Sequence, residues 1–101
     1  MSKNEKIIKN TFESGSVRDA LIFITLCVHN AFPDFNFRGI EVTRLVTSKK
    51  IIEGKSWNHN FTIRLSEANG IPAWEVRCHR ISNGETTDKK ALLDATALTL
   101  I

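Results

Sequence analysis

Apolar side chains recur at three- and four-residue steps between residues 17 and 31, and at steps of two in stretches from residue 40, from residue 61 and from residue 74. Val17, Ala20, Leu21, Ile24, Cys27, Val28 and Ala31 form the stripe of an amphipathic helix. Ile22, Phe23 and Leu26 widen the stripe, so the helix is expected to be buried on more than one side. Ser16 with Asp19 three residues on is a capping-box-like start, and Pro33 ends the helix near residue 30. Gly15 separates this helix from residues 1–14, which are polar apart from Ile7, Ile8 and Phe12 and read as a flexible N-terminal arm.

From Gly39 the period changes. Ile40, Val42 and Val46 fall on one face of a strand and Glu41, Thr43 and Thr47 on the other; Arg44 on the apolar face signals a bulge or strand end. Residues 48–60 are too polar for a central strand and read as an exposed loop turning at Gly54, with Ile51 and Ile52 extending the first strand. Phe61, Ile63 and Leu65 alternate with Thr62 and Arg64, and Trp74, Val76 and Cys78 with Glu75, Arg77 and His79. The Asn69-Gly70 turn between them predicts an antiparallel hairpin. After an Asn83-Gly84 turn, Thr87 or Asp88 caps a last helix with Leu93, Ala97, Leu100 and Ile101 on one face.

The expected fold class is therefore α+β: a single two-layer α-β-β-β-α domain over residues 15–101, with a three-stranded antiparallel sheet and two helices on one face. Ile40, Val42, Phe61, Ile63, Leu65, Trp74, Val76 and Cys78 would be buried, and Thr43, Thr62, Arg64, Glu75, Arg77 and His79 would show on the open face. Phe32, Phe35 and Phe37, around Pro33, either plug the end of the core or form an exposed aromatic contact surface.

Composition adds little to this picture. A chain of 101 residues with 42% apolar and 25% charged residues suits one core. No run is long enough to cross a bilayer, so no membrane role is expected, and no apolar stretch follows the basic start as in a signal peptide. Two cysteines without an export signal suggest reduced thiols and a cytoplasmic location. Charge is more informative in its distribution. Residues 47–90 carry eight Lys/Arg against five Asp/Glu, whereas residues 1–46 carry six against five. That bias is compatible with a polyanion partner.

No constellation announces a reaction. Cys27 with His29 and Cys78 with His79 lack the spacing of a structural zinc site, and both cysteines fall on apolar faces. Neighbours on a strand point to opposite sides, so Cys78 and His79 do not form a nucleophilic pair. Phosphate loops, dinucleotide fingerprints and paired acids are missing from the sequence. No catalytic residue, metal or cofactor is expected. The candidate binding residues are Lys49, Lys50 and Lys55 around the loop that carries Trp57 and His59, Arg64 and Arg77 on the open face, and Lys89 and Lys90 at the start of the last helix. Trp57 is either folded back on the sheet edge or exposed as a contact residue.

The order helix–strand–strand–strand–helix, with Lys89-Lys90-Ala91-Leu92-Leu93-Asp94-Ala95-Thr96-Ala97 opening the last helix, resembles the double-stranded RNA-binding domain. The resemblance spans residues 16–101 in topology and is most specific in the last twenty. It implies that Lys89 and Lys90 meet phosphates, that Gly54 and His59 lie in the loop that reaches a minor groove, and that the helix from Ser16 supplies further contacts. Two readings follow. One is a small non-catalytic interaction protein, for example a phage-borne inhibitor or modulator of a host protein of nucleic-acid metabolism or defence. The other is a module that binds duplex RNA or DNA by shape. A homodimer through the C-terminal helix is compatible with either.

Overall fold

In a computed structural model of the chain, describing residues 1–57, 59–82 and 85–101 and the side chains outside 58 and 81–87, two helices precede five strands. α1 (Lys3–Phe12) and α2 (Val17–Ala31) are followed by β1 (Glu41–Val46), a single 3-10 turn (Thr47–Lys49), β2 (Ile51–Ser56), β3 (His59–Ala68), β4 (Ile71–Ser82) and β5 (Glu85–Asp94). The strands form one antiparallel meander in chain order. The class is α+β, but the sheet has five strands rather than three. Both helices come before it, and none follows.

The expected arm is a helix. Ser2 and Glu5 form a reciprocal capping box at its start, and Ile7, Thr11 and Phe12 are buried. α2 begins where Ser16 predicts, its side chain accepting the Asp19 N–H at 3.2 Å. Its apolar stripe packs Ala20, Phe23, Ile24, Cys27 and Val28 against the sheet, all with no exposed area.

Residues 51–56, expected to lie mostly in a loop, form a central strand. The inward positions of β2 are Ile52, Gly54 and Ser56, and all three are buried. At Gly54 a side chain is excluded because the helix comes close. A Cβ on Gly54 would collide with the Ile24 side chain and the Glu41 carbonyl. The Ser56 hydroxyl donates to the Arg38 carbonyl. Gly54 marks a close approach in a strand, and the chain turns later, at Trp57.

The register of β1 shifts between Val42 and Arg44. This bulge turns Arg44 out beside Glu53, puts Leu45 opposite Ile52 on the covered side, and sends Val46 to the open face with Ile51. β3 and β4 pair as expected through Asn69-Gly70, whose positive φ values of 52° and 82° are those of a primed hairpin turn. Phe61, Ile63, Trp74, Val76 and Cys78 are buried, whereas Leu65 is 42% exposed.

The expected last helix is strand β5, paired with β4 from Ala73↔Asp94 to Ser82↔Glu85. The Asn83-Gly84 turn lies outside the described residues. After β5 the chain turns back on itself. The Asp94 side chain accepts the N–H groups of Thr96 and Ala97 at 2.9 and 2.7 Å, which holds its carboxyl below the usual range. The tail then pairs with the end of β5, Asp94 N–H to Thr99 and Ile101 N–H to Leu92. Asn30 donates to the Leu98 carbonyl and Asn4 to that of Ala97, tying the tail to both helices. The C-terminal helix assigned to a homodimer does not form. Among the described residues no helix is long and apolar enough to cross a membrane.

Candidate functional site

Pro33 breaks α2 and turns the chain so that Phe32, Phe35 and Phe37 meet the first residues of β3. Phe37 is the centre of this cluster. Its ring stacks on Phe35 at 5.7 Å and meets His59 and Phe61 edge-on, each at 5.0 Å. Phe32 and Phe37 are buried and Phe35 is half-buried. Sheet register supplies the remaining wall. Arg80 lies opposite His59, and Lys89 lies opposite Cys78. These positions continue the covered faces of β4 and β5 beyond the point where α2 covers them.

Together these groups form an open-mouthed cavity of about 180 Å³ lined by the three phenylalanines, His59, Cys78, Arg80 and Lys89, the last two exposed. The Lys89 ammonium sits 4.0 Å from the centre of the Phe35 ring. Among the described residues no carboxylate lines the cavity and neither Arg80 nor Lys89 has an ion-pair partner. Among the same residues His59 Nε2 is buried without a hydrogen-bond partner. Burial pushes the His59 pKa below the ordinary 6.5; a hydrogen bond with the Ser56 backbone opposes this and the Arg80 charge adds to it. The Cys78 thiol is pushed up by burial, against the pull of Lys89 and Arg80. That shift disfavours its thiolate. Cys27, buried in α2, is raised further by desolvation.

Phe37 and His59 also form one side of a second hollow, shared with Asn36, Arg38, Ser56 and Trp57. Trp57 stands at the β2–β3 turn with a left-handed φ of 52° and 86% of its surface exposed. It is not folded back on the sheet edge. The two hollows lie on either side of one wall.

The candidate residues do not gather into a single basic surface. Lys49 and Lys50 lie between β1 and β2, and Lys50 lies 5.5 Å over Phe12. That is the end of the sheet away from Trp57. Lys55, Arg64, Arg77 and Lys90 are on the open face. Lys55 reaches Glu41 at 3.9 Å, and Arg64 and Arg77 reach Glu75 at 3.5 and 2.5 Å. The Arg77 hydrogen bond is the largest cause holding the Glu75 carboxyl below its usual range. Lys89 and Lys90 do not share a helix N-terminus. Being neighbours on β5 they point to opposite faces.

Trp57, His59 and Lys89 are brought to one end, joined there by Arg38, Arg80 and the phenylalanines. Arg80 was legible in principle, since it continues the inward alternation of Trp74, Val76 and Cys78. Among the described residues no three His, Cys, Asp or Glu side chains converge as metal ligands. No family model matches this chain, no curated protein matches it, and no solved structure matches it.

Proposed function

We propose that this protein is a small non-catalytic binding module of the cytoplasm, which captures a partner protein at the end of the sheet where Trp57 stands. The observation that carries this reading is the exposure of Trp57 on a tight turn, beside a hollow bounded by Phe37, Arg38 and His59. Tryptophan and arginine dominate interaction hot spots, where a large rigid ring fills a hollow on the partner. A module of this kind acts as an inhibitor or modulator by occupying a surface. The cations of the open face favour duplex binding less, because Lys55, Arg64 and Arg77 already face carboxylates and a phosphate backbone would meet alternating signs.

The test compares the immobilised wild type with Trp57→Ala and with the double variant Lys49→Glu, Lys50→Glu, using quantitative mass spectrometry of captured proteins. A discrete partner is expected to fall at least about tenfold with Trp57→Ala and to persist in the double variant. Equal retention by Trp57→Ala overturns the reading. So does tight binding to a 20-base-pair duplex with a steep salt dependence.

A further inference from the structure

We infer that the cavity between the phenylalanine cluster and the ends of β4 and β5 is a binding site for a single-ring aromatic carboxylate. Size, walls and charge each narrow the ligand. Engineered cavities of about 150 Å³ hold a benzene molecule, so about 180 Å³ takes one ring with a small substituent. The walls are largely aromatic, and Phe32, Phe35 and Phe37 offer ring edges and faces to a planar apolar body.

Charge then favours an anionic substituent. Arg80 and Lys89 border the cavity, and among the described residues none of its lining is a carboxylate. A cation on an aromatic face is held only weakly at an exposed site, so Lys89 can exchange the Phe35 face for a carboxylate. Arg80 offers the planar fork that matches a carboxylate in two hydrogen bonds. His59 adds a further ring to the wall, edge-on to Phe37. The Trp57 hollow shares Phe37 and His59 with the cavity and carries Arg38 in place of Arg80 and Lys89. Variants at Arg80 and Lys89 test the cavity, and Trp57→Ala tests the hollow.

A free aromatic acid and the C-terminal phenylalanine of a peptide share this chemistry. The experiment titrates full-length protein with benzoate and with a tripeptide ending in phenylalanine, reading backbone and ring chemical shifts by NMR. Benzoate is expected to bind with a Kd on the order of 0.1–1 mM, as its few atoms allow. The shifts should concentrate at Phe35, Phe37, His59, Cys78, Arg80 and Lys89. Benzamide, which has the ring without the charge, and inorganic phosphate, which has charge without the ring, should each bind at least about tenfold more weakly. Tighter binding by the tripeptide would assign the peptide source, and tighter binding by benzoate the free acid. Lys89→Ala and Arg80→Ala should each weaken benzoate several-fold while Trp57→Ala leaves it unchanged. Equal binding of benzamide and benzoate overturns the inference, as does benzoate saturation without shifts at these six residues or no saturation by about 10 mM. The wild-type shift map is decisive even if a variant fails to fold.

Discussion

The covered side of the sheet carries an aromatic cluster at each end, and the two differ in how completely they are closed. At one end Phe12 stacks on Trp74 at 5.2 Å, and Phe23 meets both rings edge-on at 5.4 and 4.9 Å. All three are buried, and the only polar atom, Trp74 Nε1, donates to the Ala95 carbonyl. α1 closes that end. At the other end Phe32, Phe35 and Phe37 surround a cavity, His59 has a nitrogen without a partner among the described residues, and Lys89 rests on a ring. The same side-chain type serves two purposes. Where an element covers the rings they hold the fold together, and where the elements run out they leave polar and cationic groups available to a ligand.

The largest effect that could break this comparison is on stability. Phe23→Ala should destabilise the protein by about 3–5 kcal/mol, because it opens a hole in a fully covered cluster. Phe35→Ala, at the half-buried rim, should cost about 1 kcal/mol or less while sharply weakening benzoate. Urea denaturation of both variants checks this. Equal losses would mean that the Phe35 end is core like the other.

The next effect tests what closes the first end. Ser2→Ala removes the side chain that accepts the Glu5 N–H and should cost about 0.5–2 kcal/mol, the usual price of a helix N-cap. Hydrogen exchange should quicken first in α1, followed by the indole N–H of Trp74. The amides of residues 35–37 should not respond. A response there would mean the two ends are coupled through α2.

These ends also show what the sequence could and could not reveal. α2, β3 and β4 were legible because each has one face buried and one solvated, which writes a clean period. α1 was obscured by its charged outer face, although Ser2 and Glu5 mark its start. β2 was hidden because its inward positions are Ile52, Gly54 and Ser56. The close approach of α2 excludes a side chain at Gly54, and small polar residues look like a loop. β5 failed for the opposite reason. Ala91-Leu92-Leu93 runs on toward Ala95 and Ala97 as a helix would, yet Leu93 is buried in the sheet and Asp94 begins the return turn. Losing β5 as a strand put Lys89 beside Lys90 and away from Arg80. The binding end could not be assembled from sequence for that reason. Trp57 and His59 were visible as residues; their neighbours depended on the register of a strand that was not read.

The smallest effect concerns the open face, where the charges satisfy one another. Glu75 is buried between Arg64 and Arg77, and its carboxyl is held below the ordinary 4.5 chiefly by the Arg77 hydrogen bond. A carboxyl with a depressed folded pKa contributes stability above its unfolded value and loses it as pH falls through the folded one. Glu75→Gln should therefore be less stable than wild type at neutral pH, with the gap narrowing below about pH 4.5 and closing once the wild-type carboxyl is protonated. Because both arginines are more than half exposed, added salt should shrink the gap at neutral pH. Denaturation midpoints measured from pH 7 downward, at low and high salt, follow this directly. Benzoate affinity should be the same in variant and wild type throughout, since Glu75 lies on the opposite face from the cavity. A change in affinity would show that the charges of the two faces are one field, and that the cations at the phenylalanine end are balanced through the sheet rather than left for a ligand.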